Sequence, residues 1–534
     1  MLSKTVLALF FALVGLAEPN QFGNSFLQIA VTGTAATLWT LTSPQSHRTY
    51  NFSAPMFEID AVSHTAALTR VQETSPTHSV SNEVTEHHFT GTFADDPGLS
   101  LELIYRVAND SPVVRFHYVL HCSPPRALTK ARQNDSLRYF GTSFRSMRHI
   151  TEIRLSEFNE MVHSYTASER SVPDTSLADA GRAIGPILVG EQSDDKTLLL
   201  AYEHGSTVPD AFLEFNFAHS RDISLDAVKG NYVPGEKLTF YQTVWMEAAL
   251  SSGGLEGAAN TFRRFILKYM NPQSATRKPN IFYNTWNYQE RNKWWNGKSY
   301  LASMTPQRML AEIDTAHRMG IDVFVIDTGW YEKTGDWQVS RQRFPDGLRP
   351  IRERLDTYGM KLGLWFNPTA AAVSSRMYRN HKNCVRTWNG QEGKPTPVWE
   401  TEESYPMCLV SRYGDAFADE LVRIARDYGV RYFKWDAIDQ YGCDSPAHLH
   451  GAEANSPQER ADSYAFHLPL AMTHVVQKLT AAYPDAIVDF DVTEPGRAFG
   501  LSFISAGKYF LINNGPYLFN YDLPIDREHQ NWNL

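Results

Sequence analysis

Six apolar runs in the second half of the chain end in charged, polar or indole side chains, some of them able to do acid, base or nucleophilic chemistry. Val430-Arg431-Tyr432-Phe433 leads into Lys434-Trp435-Asp436, the most informative of them. The other ends are Asn284-Thr285-Trp286, Asp327-Thr328-Gly329-Trp330, Trp365-Phe366-Asn367-Pro368, Thr493-Glu494-Pro495-Gly496-Arg497 and Asn513-Asn514-Gly515. A β-branched and aromatic run stopping at a charged pair reads as a buried strand reaching the rim of a sheet or barrel. A carboxylate beside an ammonium stays ionised, because the positive charge favours the charged form. Covalent glycoside chemistry needs an ionised, oriented Asp of this kind as its nucleophile. On its own the tripeptide reads equally well as a structural ion pair. Its companions add carboxylates and cations that can hydrogen-bond vicinal hydroxyls, and indoles that can receive the apolar face of a sugar ring, although each Trp alone is more often a packing residue.

The elements that would position these residues follow a strand–loop–helix pattern after Pro279. Strands are expected at 280–286, 322–327, 361–366, 430–435, 486–491 and 509–513. Helices are expected at 305–318, with Thr305 as N-cap and Pro306 at the first position, and near 348–358, 414–428 and 457–482. Strands alternating with helices indicate a parallel sheet. Without a nucleotide-binding glycine fingerprint, the pattern favours a (β/α)8 TIM-type barrel over a doubly wound sheet. Six of eight units fit before Leu534, so the C-terminal part of the barrel is expected to be missing from this chain. Barrel enzymes place their chemistry at the C-terminal ends of strands, which is where the motifs fall.

Residues 21–250 differ in character. Short alternating runs such as Ser100-Leu101-Glu102-Leu103-Ile104-Tyr105 are separated by turn residues, which reads as an N-terminal antiparallel β-sandwich. Residues 251–279 read as a helical linker. Residues 1–17 carry a positive start, an apolar stretch over 6–16 and a small residue at a cleavage point, the pattern of a signal peptide. The mature protein is therefore expected to be secreted or periplasmic.

Composition narrows the function classes. The chain has 534 residues, 43% hydrophobic and 20% charged, with a formal net charge of −9. No basic stripe interrupts the negative balance, which argues against nucleic acid as a partner, and no later segment is long and apolar enough to need a membrane. Aromatic residues reach 13%, which suits either sugar stacking or a large β-rich core. The spacing of Cys122, Cys384, Cys408 and Cys443 matches no metal or redox motif. Buried free thiols are the default reading, and Cys384 with Cys408 is the pair best placed to bridge in an oxidising compartment. His448, His450 and Glu453 lie close together but read as a polar loop, so no metal and no cofactor are expected.

The rim motifs occur together, and in this order the chain resembles the α-galactosidases of glycoside hydrolase family 36. The matching pieces are Asn284-Thr285-Trp286, the VIDTGW segment at 325–330, Gly335-Asp336-Trp337-Gln338, Phe344-Pro345-Asp346-Gly347-Leu348, the run 359–368 and Phe433-Lys434-Trp435-Asp436. The resemblance implies a retaining glycosidase with an oligosaccharide or glycoside substrate, and homo-oligomers of the kind family members often form. It implies that Asp436 is the nucleophile and that Asp327, Trp330, Trp365, Lys434, Arg497 and Asn513 contact the sugar. The chain departs from the family at Thr328 and Asn367, where the family carries acids, and at Thr493-Glu494-Pro495-Gly496. The family's acid/base Asp aligns with Asn513 or Asn514. An amide has no dissociable proton for the leaving group, so the proton donor is expected elsewhere. Asp522 is the first candidate, and Glu494 and Asp491 are the others. The alternative is a catalytically impaired barrel that binds carbohydrate without cleaving it.

Overall fold

The alternating runs of the first half form antiparallel β-structure from Gln21 to Ser252. A computed structural model of the protein describes residues 20–503 and 509–510, apart from 66, 75–77, 82, 130–136, 160–163, 174–180, 206–211, 219–221, 232–236, 271–275, 277, 437–441, 492–495 and 498–499. The expected signal segment lies outside them. Four strands, Gln21–Gly23, Gln28–Val31, Trp39–Thr42 and Thr49–Phe52, make a separate small sheet. The strands from Met56–Ile59 to Met246–Ser252 pair in a network that closes on itself, instead of forming the two independent sheets of the expected sandwich.

The strand Val113–Thr129 explains the difference. Its first half pairs with Leu99–Ala108 and Met246–Ser252, and its last residues pair with Met56–Ile59. Its register shifts between His121 and Arg126, across Ser123-Pro124-Pro125, where the prolines have no N–H to give a ladder. One strand therefore serves both layers. Trp39 stacks on Phe52 at 3.9 Å in the core and donates its indole N–H to Tyr118 at 2.8 Å.

The helix in the segment read as a linker packs on this sheet. In α1 (Gly254–Phe265), Ala258, Ala259, Phe262 and Phe265 fall on one face, and that face packs on Val113, Ile187, Val189 and Leu199 of the sheet.

The second half contains a six-stranded parallel sheet: β1 (Phe282–Asn284), β2 (Val323–Ile326), β3 (Lys361–Phe366), β4 (Tyr432–Trp435), β5 (Ile487–Phe490) and β6 (Tyr509–Phe510). Their order across the sheet is their order along the chain, as in a barrel wall and unlike the reversing order of a doubly wound sheet. The expected first strand is shorter than its apolar run, because Trp286 opens a helix, α2 (Trp286–Trp294). The helices α3 (Pro306–Arg318), α4 (Arg349–Thr357), α5 (Arg412–Tyr428) and α6 (Pro457–Ala482) follow. Their starts obey local chemistry. Thr305 accepts from the N–H of Arg308, and Ser456 and Glu459 cap α6 reciprocally, satisfying N–H groups that the first turn leaves unpaired. Gly429, at φ 70°, ends α5 in the left-handed conformation that glycine adopts without strain.

The two-residue period of the strands sorts their side chains. Phe324, Ile326, Leu364, Phe433, Trp435, Val488 and Phe490 join the helices in one core. Val323, Val325, Tyr432 and Ile487 form a second, small cluster on the opposite face. That inner face is crowded. A Cβ on Gly363 would stand 2.8 Å from Val325 and 3.2 Å from Tyr432, its register neighbours. The β-rich domain packs on α6, where His204 stacks on Phe466 at 4.4 Å and bonds its carbonyl.

All four cysteines are buried free thiols, so the expected Cys384–Cys408 bridge is not made. Cys408 lies against Cys443 instead. His448 and His450, read as a polar loop, are buried beside them, whereas Glu453 is exposed. Among the described residues no helix is long and apolar enough to cross a membrane.

Candidate active site

The residues that continue the inner face towards the C-terminal ends of the strands are polar. Parity places Asn284, Asp327, Trp365, Lys434, Asp436, Asp489 and Asp491 on it, and they meet as one ionic cluster. Lys434 Nζ lies 3.6 Å from Asp327 Oδ2 and 3.5 Å from Asp491 Oδ2. Asn284 donates to Asp327 Oδ2 at 2.9 Å, and the Thr328 N–H donates to Asp327 Oδ1 at 2.7 Å. Arg497 Nη1 donates to Asp436 Oδ1 at 2.7 Å and to the Asp491 carbonyl at 3.1 Å. The other Asp436 oxygen, Oδ2, accepts the Trp365 indole N–H at 3.1 Å.

Electrostatics separate the acids. Burial alone would push the Asp436 carboxyl up, but Lys434 and Arg497, with the Arg497 and Trp365 hydrogen bonds, hold it at about 2. It is ionised at any physiological pH. Burial would likewise push the Lys434 ammonium down. Asp327, Asp491, Asp436 and Asp489 outweigh that and hold it well above its ordinary value. Burial raises Asp327, with Lys434 opposing. Asp489 sits deeper, accepting the Tyr432 hydroxyl at 2.7 Å with its second oxygen buried and unpartnered. Burial pushes it to about 7 against Tyr432 and Lys434.

Exposure then distinguishes one residue. The Asp327, Lys434, Asp491 and Arg497 side chains are between 2 and 6% exposed, and Asp436 is 19% exposed. The arrangement thus presents one ionised, doubly hydrogen-bonded carboxylate to solvent over a buried network that fixes its charge. An anionic cluster of this composition suits a reaction that develops positive charge.

Five of the eight residues expected to do chemistry or bind are together: Asp436, Asp327, Trp365, Lys434 and Arg497. Trp330 adjoins them through Trp365. It is fully buried, stacks on Trp337 at 6.0 Å and donates its N–H to the Trp365 carbonyl at 2.9 Å, so here it underpins the rim. Asn513, Asn514, Asp522 and Glu494 lie outside the described residues. The two departures are structurally committed. Thr328 bonds the Tyr331 hydroxyl at 2.8 Å, and Asn367 accepts from the N–H and hydroxyl of Thr369, both at 3.0 Å.

Sequence reasoning missed Asp489, although its two-residue spacing from Asp491 in an apolar run was the readable signal. It also missed Trp399, whose ring lies tilted against Trp286 at 4.4 Å in a group completed by Tyr300, which stacks on Trp286 at 5.2 Å. Trp399 lies in an irregular loop with nothing in its spacing to mark it.

Comparison with known proteins places this geometry. Residues 240–499 match the Melibiase family model. The α-galactosidase Mel36A of Lactobacillus acidophilus is 28% identical over 189 residues, 33% of this chain and 24% of that protein. The A type blood α-D-galactosamine galactosaminidase of Flavonifractor plautii is 26% identical over 179 residues, 32% of this chain and 17% of that protein. The crystal structure of the family 36 α-galactosidase AgaA from Geobacillus stearothermophilus, in complex with stachyose, superposes with a TM-score of 0.63 at 14% identity, covering 92% of this chain and 74% of that one. The chain is α-galactosidase-like, similar to the melibiases of family 36. Its matched stretch spans about a quarter of the length of the first curated relatives. The melibiase region runs from the end of the β-rich domain through all of β1 to β5, so it contains every described member of the ionic cluster.

Proposed function

We propose that the protein is an exported retaining glycoside hydrolase that removes terminal α-linked galactose, or a related hexose, by double displacement through Asp436. The observation that carries this reading is Asp436 itself, the exposed carboxylate of the cluster, ionised by Lys434 and Arg497. In the first step its oxygen attacks the anomeric carbon while the bond to the leaving oxygen breaks and that oxygen takes a proton from a carboxylic acid, the role this reading gives to Asp522. In the second, water displaces the carboxylate and gives its proton back to the same group. The positive charge that develops on the sugar is stabilised by the surplus of carboxylates over Lys434 and Arg497.

The same reading assigns Asp327, Lys434, Trp365 and Arg497 to the sugar subsite, Asn513 to its rim and Asp522 to the proton donor. It completes the parallel sheet as a (β/α)8 barrel. Because Thr328 and Asn367 replace acids, the preferred sugar is expected to differ from that of family members carrying acids there. The sugar named for the Flavonifractor relative, an α-linked galactosamine, is one such alternative.

A second reading, a barrel that binds carbohydrate without hydrolysis, is favoured by one observation: Asn513-Asn514 stand where the family's proton donor aligns. A panel of aryl α-glycosides separates the two. Turnover of an aryl α-galactoside that disappears in Asp436→Asn supports hydrolysis. No turnover across the panel, with sugar binding retained in calorimetry, favours the binding protein.

A further inference from the structure

Cys443, His448 and His450 lie in one short segment, and Cys408, distant from them in sequence, joins them in a buried group. One ligand atom from each, two thiol sulfurs and two ring nitrogens, lies within 4.8 Å of every other. Cys408 and His450 are 0% exposed, Cys443 1% and His448 7%. Cys443 Sγ is 3.3 Å from His448 Nδ1. Tetrahedral zinc, with bonds of about 2.3 Å to sulfur and 2.0 Å to nitrogen, sets its ligand atoms roughly 3.3 to 3.8 Å apart.

The backs of the two imidazoles decide the reading. His448 Nε2 bonds the Asn383 carbonyl at 2.9 Å, and His450 Nδ1 bonds the Arg460 carbonyl at 3.1 Å. Each carbonyl requires the nitrogen facing it to carry the proton, so the opposite nitrogen of each ring presents a lone pair to the thiols. Metal-bound histidines are held this way by a second set of partners. His450 Nε2, on the thiol side, is buried with no hydrogen-bond partner. Leaving such a nitrogen unsatisfied costs stability, and a metal ion in the group would satisfy it.

We infer that these four residues form a structural site for a zinc-class divalent cation. Two thiolates and two neutral imidazoles cancel the charge of the ion, as burial requires. Softness and donor count select zinc over calcium or magnesium. Four protein ligands close the tetrahedron and leave no position for substrate, so the role is architectural. Binding releases the two thiol protons to solvent. A surface cleft of about 310 Å³, lined by Cys443, Asp444, Thr387 and Trp388, gives the ion a path in.

The site pins a functional loop. Cys443 lies seven residues beyond Asp436, and Cys408 lies three residues before the Ser411 cap of α5, whose hydroxyl bonds the Cys408 carbonyl. The same loop is tied by Asp444, which takes hydrogen bonds from Thr387 and Gly390, and by Arg460, which bonds the Asp444 carbonyl. The ion would therefore fasten the return of the loop that leaves the nucleophile to the segment in front of α5.

The test is metal analysis of the full chain, purified without chelator, with thiol titration alongside. The expected result is one zinc per chain, and after exchange with cobalt a thiolate-to-cobalt charge-transfer band in the spectrum. Cys443→Ser and His450→Gln should each weaken metal affinity by more than about tenfold, while Cys122→Ser leaves metal content unchanged. Chelation should lower the Tm and readdition of zinc restore it. The inference is overturned if the unmutated chain takes up neither zinc nor cobalt with its thiols reduced. It is also overturned if peptide mapping finds Cys408 and Cys443 joined as a disulfide. Both outcomes are read on the unmutated protein, so a variant that fails to fold does not obscure them.

Discussion

Arg497 reaches Asp436 through a 2.7 Å hydrogen bond from Nη1 to Oδ1, and the same nitrogen bonds the Asp491 carbonyl at 3.1 Å. One guanidinium therefore couples the end of β4 to the segment that leaves β5. It does so from the side opposite Trp365, which holds Oδ2. With both oxygens held, the carboxylate has a fixed plane, and its charge is set by two cations of different kinds. Both are buried; Lys434 pairs with Asp327 and Asp491, while Arg497 bonds Asp436 directly.

That division predicts what Arg497 contributes. In Arg497→Met the Asp436 carboxyl loses a cation and a hydrogen bond, so its value rises from about 2 towards the ordinary carboxylate range. An opposite charge at this distance is worth about one to three pH units. Activity that requires ionised Asp436 will then fail at higher pH on the acid side. The pH profile of kcat/KM reads this directly as an upward move of the acid limb, with Arg497→Lys showing a smaller move. Coincident acid limbs for wild type and Arg497→Met would dismiss the coupling.

Lys434→Met makes a stability prediction. It removes the cation shared by Asp327 and Asp491, whose side chains are only 2% and 4% exposed. Breaking one partner of such a buried pair costs about 3–5 kcal/mol. Denaturant unfolding at neutral pH should show a loss of that size, and the loss should shrink in acid as the stranded carboxyls become protonated. A loss that is the same at every pH would point to packing alone.

Much of this cluster is legible in the sequence, for a local reason. A strand has period two, so an apolar run that turns polar at alternate positions near its end announces an inner face reaching solvent. That is how Lys434 and Asp436 can be read before any coordinates. Helix starts are equally local, as Thr305 and Ser456 show. What fails depends on distant partners. The burial of Trp330 is set by Trp337 and Phe366, and no spacing encodes it. The closed β-network follows from one long strand serving two layers, which alternation cannot distinguish from two sheets. The Cys408 and Cys443 pair is separated by the whole of α5 and β4, so no motif spacing connects them.

The role proposed for Asp436 yields a chemical prediction. Asp436→Ala should lower turnover of an aryl α-galactoside at least about a thousandfold, because no other carboxylate of the described cluster is as exposed. It also leaves a gap on the β face of the sugar. Azide in that gap should attack the anomeric carbon in place of the carboxylate and restore release of the phenol. The product is then the β-glycosyl azide, which nuclear magnetic resonance identifies by its anomeric coupling. Rescue giving the α-azide, or no loss on mutation, would remove Asp436 from the nucleophile's role.

Asp489 supplies a pH dependence of opposite sign. It is fully buried, one oxygen accepts the Tyr432 hydroxyl, the other has no partner, and burial pushes its carboxyl to about 7. In the unfolded chain the same group titrates near 4. A folded value above the unfolded one means that the folded state holds the proton more tightly. The contribution to stability is therefore complete below about pH 4, declines as pH rises, and is gone above about 7. Asp489→Asn keeps an acceptor for Tyr432 and removes the titration. Thermal unfolding of the two proteins across this range should show wild type losing stability relative to the variant as pH rises through about 7, with a slope approaching that of one proton. Parallel profiles would mean that Asp489 ionises in the folded protein as readily as in the unfolded chain, and that the cations above it reach it more strongly than their distance from the Tyr432 side implies.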